Sequence, residues 1–294
     1  HSLSPGRCSR SPDHRKIECL TENICYILPV KNKTVLITGS TDGIGVQTGL
    51  ELAKQGARIL IHGRNPDRAA KVVSQIESAG GQAQSLIADL SSMADVKKLA
   101  AAANAAGPIH VLINNAGVFM KEKKLTVDGF ETTFAVNHLA VFLLTNELLP
   151  SMPDGSRIIT LSSIAHKNGK IDFDNLQSEK SFDGYAAYAM SKLCNVVFSY
   201  ELARRGASRG ILSNAVHPGV IQTKLLKEGF NMDSAGSLEE GAATSIYLAS
   251  SPEVQNVTGK YFVSSRESVS TAASRDEALQ RKLWDVSEQL LSRF

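Results

Sequence analysis

The sequence places a phenol and an ammonium group four residues apart, at Tyr188 and Lys192. Side chains at this spacing lie one turn apart on the same face of a helix, so the ammonium group can sit near the phenol. A phenol has an ordinary pKa of about 10. A nearby cation favours the phenolate, which brings Tyr188 towards general acid–base chemistry near neutral pH. The alternative interpretation is an ordinary surface pair or a core tyrosine on a long helix.

A second group of residues suited to chemistry is the glycine-rich turn in the stretch KTVLITGSTDGIG, from Lys33 to Gly45. Gly39, Gly43 and Gly45 have no Cβ atom, so the chain can turn sharply and a pyrophosphate can approach its amides. A helix that begins near Gly43 presents unpaired N–H groups and a partial positive charge to such a phosphate. The spacing of the glycines, with no Lys-Ser/Thr pair after them, argues against a nucleoside-triphosphate loop. The alternative is a plain tight turn.

Arg64 follows the second predicted strand, where an NAD-binding enzyme usually has an acidic residue for the ribose 2′-hydroxyl. An arginine there can pair bidentately with a 2′-phosphate, which favours NADP(H), with NAD(H) as the second choice. Asp42 weakens this preference by bringing a negative charge close by, and the alternative for Arg64 is a solvated loop charge. Asp89 and Leu90, after the third strand, are expected to contact the adenine, unless Asp89 starts the next helix with Ser91 as its cap.

Short β-rich runs alternate with longer helical ones from Lys33 onward. This alternation predicts right-handed crossovers and a parallel sheet with helices on both faces, whose ligands bind at the carboxyl ends of the strands. We therefore expect one α/β domain over residues 31–294, a doubly wound Rossmann fold with seven parallel strands. A last apolar stripe from Leu279 to Leu290 predicts a helix that packs on the domain or lines the substrate cavity. The predicted strands are Val35–Thr38, Arg58–His62, Gln84–Ala88, His110–Asn114, Arg157–Leu161, Leu212–Val216 and Lys260–Val263.

The composition excludes several kinds of partner. A chain of 294 residues with 43% hydrophobic content can bury a substantial core. Its net charge of +3 is small and dispersed, so nucleic acid is not an implied partner. No apolar run approaches the roughly 18 residues that span a bilayer, so no transmembrane anchor is predicted. The histidines and cysteines match no metal-ligand spacing, so no metal is predicted.

Residues 1–30 differ from the rest of the chain, with three prolines, several basic residues and no clear period. We expect an N-terminal extension that is poorly ordered or foreign to the native protein, outside the fold. Asp13 and Glu18 fit a transit peptide poorly, and the apolar run from Ile24 to Leu28 is too short for a secretory signal. Since the four cysteines form no framework either, a cytoplasmic location is expected.

The motifs in the middle of the chain resemble those of the short-chain dehydrogenase/reductase family in its shorter, one-domain form. Their joint order and spacing are highly specific, and the resemblance covers nearly everything after Lys33. The motifs are T-G-S-T-D-G-I-G at Thr38–Gly45, N-N-A-G at Asn114–Gly117, Asn137 in F-A-V-N-H, Ser162-Ser163 ending a strand, Y-A-M-S-K at Tyr188–Lys192, and P-G at Pro218-Gly219 with Thr223. The chain is most similar to the retinol-dehydrogenase-like branch, on the strings at His166–Leu176, Ser191–Asn195, Val216–Val220 and Leu283–Glu288.

The resemblance implies roles for individual residues. Ser163, rather than Ser162, is the expected catalytic serine, whose hydroxyl would hydrogen-bond a substrate oxygen and stabilise the charge developing on it. Asn137 is expected to bend its helix and hold a water that contacts Lys192; the alternative is a helix-interior amide satisfied by local backbone. The expected catalytic residues are Asn137, Ser163, Tyr188 and Lys192. The expected cofactor-binding residues are Gly39, Thr41, Gly43, Ile44, Gly45, Arg64, Asp89, Leu90, Asn115, Ala116, Gly117, Tyr188, Lys192, Pro218, Gly219 and Thr223.

Together these residues predict an NADP-preferring oxidoreductase that transfers a hydride between nicotinamide and a lipophilic alcohol or carbonyl substrate, with Tyr188 as the acid/base. An apolar segment at about residues 224–240 is expected to cover the substrate as a lid. The resemblance implies a homodimer or homotetramer formed through the helices that carry Asn137 and Tyr188. The alternative function is an NADP(H)-binding regulatory or sensor protein with little turnover. An epimerase or dehydratase of the longer family form is disfavoured by the glycine spacing.

Overall fold

Within the residues that the structure describes, 30–223, 227 and 236–294 of a computed structural model, eight strands form one sheet. They are β1 (Thr34–Ile37), β2 (Arg58–Gly63), β3 (Gln82–Ile87), β4 (Val111–Asn114), β5 (Arg157–Leu161), β6 (Leu212–His217), β7 (Tyr261–Val263) and β8 (Arg266–Ser268). Their order in the sheet is β3-β2-β1-β4-β5-β6-β7-β8. All neighbours are parallel except β7 and β8. The α/β fold class is confirmed.

Helices cover both faces of this sheet, as predicted. They are α1 (Gly43–Lys54), α2 (Pro66–Ser78), α3 (Met93–Ala105), α4 (Thr132–Phe134), α5 (Ala140–Leu148), α6 (Gly184–Arg205), α7 (Leu238–Ser250) and α8 (Glu277–Leu291). A π-helical turn over Ala135–Leu139 joins α4 to α5. Helices α1, α2 and α7 share one apolar core with one face of the sheet, and α3, α5, α6 and α8 share another with the opposite face.

The central strands are apolar at successive positions because both of their faces are covered. In β1, Val35 and Ile37 point into the core shared with α1, whereas Leu36 points into the core on the opposite face. The four residues of β1 are all buried. This packing fixes the carboxyl end of β1, and therefore the turn that follows it, between two rigid layers.

The antiparallel strand β8 was not predicted. It pairs with β7 through a tight turn at Ser264 and Ser265, whose φ angles are +48° and +58°. Two-residue hairpins of this kind need positive φ at both central positions, which normally favours Asn-Gly or Asp-Gly. Two serines carry no such signal, so the hairpin at the edge of the sheet could not be predicted from these residues.

Helix α8 packs on the domain, as its apolar stripe predicts. Trp284 stacks on Phe198 of α6 with 5.8 Å between ring centroids, and meets Phe142 of α5 edge-on at 4.8 Å. The hydroxyl of Ser287 lies 2.8 Å from Nε2 of His138 in the π-helical turn. Helix α8 therefore covers the outer side of both α5 and α6.

Two fully buried histidines make the stability of the fold depend on pH. Burial lowers the pKa of His62 to about 4 and that of His138 to about 3, whereas an unfolded histidine titrates near 6.5. A lowered pKa in the folded state contributes stability above pH 6.5 that is lost as the pH falls, because the unfolded chain then binds the protons.

We expect each of these histidines to reduce the free energy of unfolding by about 2 kcal/mol between pH 7.5 and pH 5. Urea denaturation of the parent and of His138→Gln at both pH values measures this change. The variant removes one titrating group, so its loss should be smaller than that of the parent by about 2 kcal/mol. Equal losses in the two proteins would show that His138 does not contribute.

Candidate active site

A large cavity opens at the carboxyl ends of the parallel strands, with a volume of about 960 Å³. This position agrees with the rule that ligands of doubly wound folds bind at the carboxyl ends of the strands. All of the sequence-predicted cofactor residues line this one cavity, from Gly39 after β1 to Thr223 after β6. Among the predicted catalytic residues, Ser163, Tyr188 and Lys192 line it as well, and Asn137 lies behind its wall.

The glycine-rich turn has the conformation that its sequence predicts. Gly39 and Gly43 have φ angles of +63° and +56°, which residues with a Cβ rarely adopt. A Cβ on Gly45 would lie 2.4 Å from the carbonyl oxygen of Gly39, so no larger residue fits there. Helix α1 begins at Gly43 and has no acidic residue in its first turn. Its N-terminus therefore offers positive partial charge to an anion in the cavity.

Asn115 braces this turn from the neighbouring strand. Its side-chain amide donates to the carbonyl oxygens of Thr38 and Gly39 at 2.8 and 3.0 Å. In return, the hydroxyl of Thr38 accepts from the backbone N–H groups of Asn115 and Ala116 at 3.0 and 3.1 Å. The first two residues after β1 and the N-N-A-G motif after β4 thus form one hydrogen-bonded unit.

Charged residues of both signs meet at the end of the cavity next to β2. A guanidinium nitrogen of Arg64 lies 3.9 Å from a carboxylate oxygen of Asp89, and one of Arg68 lies 3.9 Å from Asp42. All four side chains are at least 41% exposed, so these ion pairs are weak and leave the arginines able to bind another anion. Asn65 caps α2 by accepting the backbone N–H of Arg68.

The alternative that Ser91 caps the next helix is wrong. Ser92 is the N-cap of α3 and accepts from the backbone N–H of Asp95. Asp89 instead accepts from the backbone N–H of Ser91 at 2.9 Å in the turn before the helix. This turn leaves Asp89 and Leu90 on the wall of the cavity, where they were predicted to be.

Tyr188 and Ser163 meet in the cavity. Their hydroxyl groups are in hydrogen-bonding contact, although the residues belong to α6 and to the turn after β5. Lys192 lies one turn further along α6, with its ammonium nitrogen 5.6 Å from the centroid of the Tyr188 ring. That ammonium group donates to the carbonyl oxygen of Leu161 at 3.1 Å. The structure therefore brings together the phenol, the hydroxyl and the amine that the sequence singled out.

Tyr188 was expected to have a lowered pKa because Lys192 is near. This expectation is wrong for the protein without cofactor. Burial raises the pKa of Tyr188 to about 12, and the hydrogen bond from Ser163 only partly offsets it. Burial also lowers the pKa of Lys192 to about 8. In both side chains the loss of hydration on burial is the largest effect on the pKa, and it disfavours the charged form.

The structure distinguishes the two adjacent serines. Ser162 is buried and its hydroxyl donates to the carbonyl oxygen of Lys192 at 2.6 Å, which ties β5 to α6. Ser163 is only partly buried and faces Tyr188. Its hydroxyl also accepts from the backbone N–H of Ala165 at 3.2 Å. This geometry favours Ser163 over Ser162 as the residue that can reach a substrate.

Asn137 lies in the π-helical turn, so the expected local bend of its helix is present. Its side chain exchanges two hydrogen bonds with the backbone of Val118, at 2.8 and 2.9 Å, and donates to the hydroxyl of Ser191 at 2.9 Å. Ser191 directly precedes Lys192. Asn137 therefore connects the loop after β4 to α6 beside the candidate catalytic lysine, and its part in holding a water stays a prediction.

The opposite end of the cavity has apolar side chains at its rim. Ile164, Tyr185 and Val220 line the cavity and are 42%, 41% and 38% exposed. The predicted lid falls mostly on residues 224–226 and 228–235, which lie outside the described part of the chain. Its two flanks are held together by backbone hydrogen bonds between Val220, Gln222 and Gly236.

Several cavity residues were not singled out from the sequence, and among them are three with polar or charged side chains: Arg68, Tyr185 and His62. In the sequence, Arg68 cannot be told from an ordinary charged residue on the surface of a helix. Likewise, nothing distinguishes Tyr185 from other residues at the beginning of a helix. His62 is the least expected, because a histidine within an apolar strand gives no indication of a binding role. Its position directly before Gly63 and Arg64, at the end of a strand, was the available signal.

Residues 30–223, 227 and 236–294 contain no cluster of three or more histidine, cysteine, aspartate or glutamate side chains able to hold a metal ion. None of the helices in these same ranges combines the length and apolarity that crossing a membrane requires.

Comparison with known sequences shows which family this site belongs to. The short chain dehydrogenase family matches residues 33–234. Human retinol dehydrogenase 14 is 39% identical over 289 residues, which cover 88% of this chain and 86% of that protein. Human polyprenol dehydrogenase is 37% identical over 280 residues, covering 88% of this chain and 85% of that protein.

Solved structures agree with the sequence matches. An uncharacterised protein from Mycobacterium paratuberculosis superimposes with a TM-score of 0.77 at 31% identity, covering 90% of this chain and 96% of that one. A blue fluorescent protein from a metagenomic library, crystallised with NADPH, has a TM-score of 0.67 at 29% identity and covers 80% of this chain and 96% of that one. The chain belongs to the short-chain dehydrogenase family, whose members are NAD(P)-dependent oxidoreductases acting on CH–OH groups.

Proposed function

We propose that this short-chain dehydrogenase interconverts a lipophilic alcohol and its carbonyl compound, with NADP(H) as the preferred cofactor. The observation that carries the proposal is one cavity that joins the glycine-rich turn, the Tyr188–Ser163–Lys192 group and an apolar rim. Nucleotide binding, proton transfer and lipophilic substrate recognition need these three features side by side.

The fit of a nicotinamide dinucleotide rests on three features of the chain. A side chain would not fit at Gly39 or Gly45, the N-terminus of α1 attracts an anion, and Thr223 lies beside Gly43. The glycine turn would hold the pyrophosphate, Asp89 and Leu90 the adenine, and Thr223 the nicotinamide side. When bound, the nicotinamide supplies or accepts the hydride.

The chain's own residues would manage the proton and the substrate oxygen. In carbonyl reduction Tyr188 gives its proton to the oxygen, and in alcohol oxidation it takes a proton from the hydroxyl. Ser163 donates a hydrogen bond to the same oxygen and stabilises the charge that develops there. The ammonium group of Lys192 stabilises the tyrosinate that remains after the transfer and binds the ribose. Tyr188 and Lys192 are buried and Ser163 is partly buried, which limits the access of water to the reacting atoms.

The lipophilic character of the substrate is supported by the rim of the cavity. Ile164, Tyr185 and Val220 expose apolar surface beside Ser163 and Tyr188, where a substrate would enter. The names of two relatives, retinol dehydrogenase and polyprenol dehydrogenase, refer to long apolar alcohols. We therefore propose a long-chain or isoprenoid-like alcohol or aldehyde as the substrate class.

The preference for NADP(H) rests on Arg64, which lines the cavity and is free to swing because its side chain is 71% exposed. We expect Arg64→Ala to weaken NADPH binding by at least about tenfold, the loss of a charge-assisted hydrogen bond, and NADH binding by less than about twofold. Fluorescence titration with each cofactor measures both constants.

Asp42→Asn serves as the opposite charge change in the same experiment. Asp42 lies in the glycine turn and its negative charge pairs with Arg68. Since the variant lacks this charge, it should bind NADPH more tightly than the parent does. Equal losses of NADPH and NADH affinity in Arg64→Ala would contradict the role of this arginine.

The proposed activity is tested by turnover of NADPH with a panel of short, long-chain and isoprenoid aldehydes. We expect kcat/KM to rise with chain length. Tight NADPH binding without turnover on any alcohol or carbonyl would favour the sensor function instead, and a preference for short polar aldehydes would contradict the assigned substrate class.

Self-association stays a prediction, and the packing of α8 bears on which surface a second copy would use. Helix α6 is buried along most of its length, from Ala187 to Ala203, and α8 covers its outer side together with that of α5. The apolar side chains of α5 and α6 that contact α8 are therefore not available to a second copy. We propose that any homodimer or homotetramer forms through another face, which cross-linking and mass mapping would identify.

A further inference from the structure

His62 occupies a place in the fold that no part of the proposed chemistry uses. It is the penultimate residue of β2, only 2% of its surface is exposed, and it lines the floor of the cavity beneath the glycine-rich turn. Its backbone accepts from the N–H of Ser40 at 2.9 Å and donates to the hydroxyl of Ser40 at 3.0 Å.

Both ring nitrogens of His62 have backbone partners. Nδ1 accepts from the N–H of Gly39 at 3.1 Å, so it carries no proton. Nε2 lies 3.2 Å from the carbonyl oxygen of Ala88 and therefore carries the proton that it donates. The ring is neutral and held in one tautomer, and burial lowers its pKa to about 4, which keeps it neutral at physiological pH.

These bonds connect β2 to two segments that, under the proposed function, would contact different parts of a dinucleotide. Gly39 is the first glycine of the turn proposed to hold the pyrophosphate, with a φ angle of +63°, and its amide donates to the His62 ring. Ala88 directly precedes Asp89 and Leu90 on the adenine side. Because one rigid ring spans both, it fixes the distance between the pyrophosphate turn and the adenine wall.

We propose that His62 is a positioning residue for the cofactor, which sets the geometry of the glycine-rich turn through its two ring nitrogens. The inference rests on the proposed use of a dinucleotide. It assigns His62 to binding, so its loss raises the KM and the dissociation constant for NADPH and leaves kcat nearly unchanged. A residue that merely supported the fold would instead lower the fraction of active protein.

Three substitutions separate the two ring contacts. In His62→Asn the side-chain oxygen takes the place of Nδ1 and can still accept from Gly39. In His62→Gln the amide nitrogen takes the place of Nε2 and can still donate to Ala88. His62→Ala loses both contacts, and we expect it to bind NADPH about tenfold more weakly, with Asn and Gln each recovering part of that loss.

His110 provides a matched control, because its ring bonds the backbone at the beginning of β1, whereas that of His62 bonds the backbone just after the end of β1. Its Nδ1 accepts from the backbone N–H of Thr34 at 3.2 Å, at the amino edge of the sheet away from the cavity. His110→Ala therefore removes a comparable hydrogen bond of β1, and it should bind NADPH as the parent does.

The experiment measures the NADPH dissociation constant by fluorescence titration, kcat and KM, and amide hydrogen exchange across residues 38–43 of each protein without added cofactor. We expect faster exchange in these residues for His62→Ala and His62→Gln, and exchange as in the parent for His62→Asn and His110→Ala.

Unchanged exchange and NADPH affinity in His62→Ala, or an equal loss of affinity in His110→Ala, would overturn the inference. If His62→Ala does not fold, His62→Gln and His62→Asn still give opposite expectations. Tight NADPH binding with no turnover would refute the proposed reaction while leaving this assignment standing.

Discussion

Replacing Tyr188 with phenylalanine should lower kcat by about 10³-fold, the range that general acid–base catalysis contributes. The ring remains packed against Phe119, with 5.7 Å between their centroids, so the fold and the cofactor site should be preserved. The variant lacks only the hydroxyl that contacts Ser163 and would exchange the proton with the substrate oxygen. Steady-state turnover of NADPH with a long-chain aldehyde measures the loss, and fluorescence titration checks that NADPH still binds.

Tyr185 supplies the control for this substitution. It lies on the same helix and lines the same cavity, and its hydroxyl accepts from Asn168 at 2.8 Å at the rim. Tyr185→Phe should keep kcat within about threefold of the parent, because this hydroxyl takes no part in proton transfer. If Tyr188→Phe turned over as fast as Tyr185→Phe, the assignment of the acid/base would be refuted.

The second large effect is expected at Lys192, which acts on both the cofactor and the tyrosine. Its ammonium group is buried close to Gly117 and to the Tyr188 ring. Lys192→Met keeps the length of the side chain and removes its charge, so we expect weaker NADPH binding together with a loss of kcat of about 10²-fold or more. The carbonyl oxygen of Leu161 keeps a second donor, the amide of Asn195 at 3.0 Å, so the variant leaves no orphaned acceptor there.

The pH dependence of NADPH affinity in the parent gives an independent test of the role of Lys192. Because burial lowers the pKa of Lys192 to about 8, its ammonium form is lost as the pH rises above that value. NADPH affinity should fall between pH 7 and pH 9 in the parent and stay flat in Lys192→Met. Lys98→Met, at a lysine that is 78% exposed on α3, should behave as the parent does. A variant of Lys192 with the affinity, turnover and pH profile of the parent would contradict its role.

The elements that hold the cofactor site could be predicted because backbone geometry allows few alternatives. Gly39 and Gly43 adopt positive φ, and Gly45 lies against backbone atoms, so glycine is required at all three positions. Parallel strands bring their carboxyl ends to one edge, which is why residues as far apart in sequence as Asp89 and Thr223 could be assigned to one cavity.

The properties that depend on packing could not be predicted in the same way. The raised pKa of Tyr188 follows from burial beside Phe119, Ala165 and Ala189, and nothing in the spacing of Tyr188 and Lys192 indicates how deep the pair lies. The spacing predicts that the two groups approach each other, which is correct. It does not predict that loss of hydration outweighs their attraction.

Long-range contacts account for the other differences. The stripe on α8 shows that one face is buried, but only the structure shows that it covers α5 and α6, the helices expected to pair with a second copy. Likewise, the bonds of His62 to Gly39 and Ala88 join three segments that are distant in sequence. Such contacts have no local pattern, so they become visible only when the chain is folded.

In the proposed reaction, NADPH bound in the cavity transfers a hydride to a lipophilic carbonyl compound, and Tyr188 supplies the proton. The most direct test of this reaction is a single turnover of a long-chain or isoprenoid aldehyde with NADPH in which both hydrogens at nicotinamide C4 are deuterium, followed by mass spectrometry of the alcohol. The account predicts one deuterium on the carbinol carbon with the parent protein and a rate lower by about 10³-fold with Tyr188→Phe. Tight binding of the labelled NADPH with no deuterium in any alcohol product would contradict it.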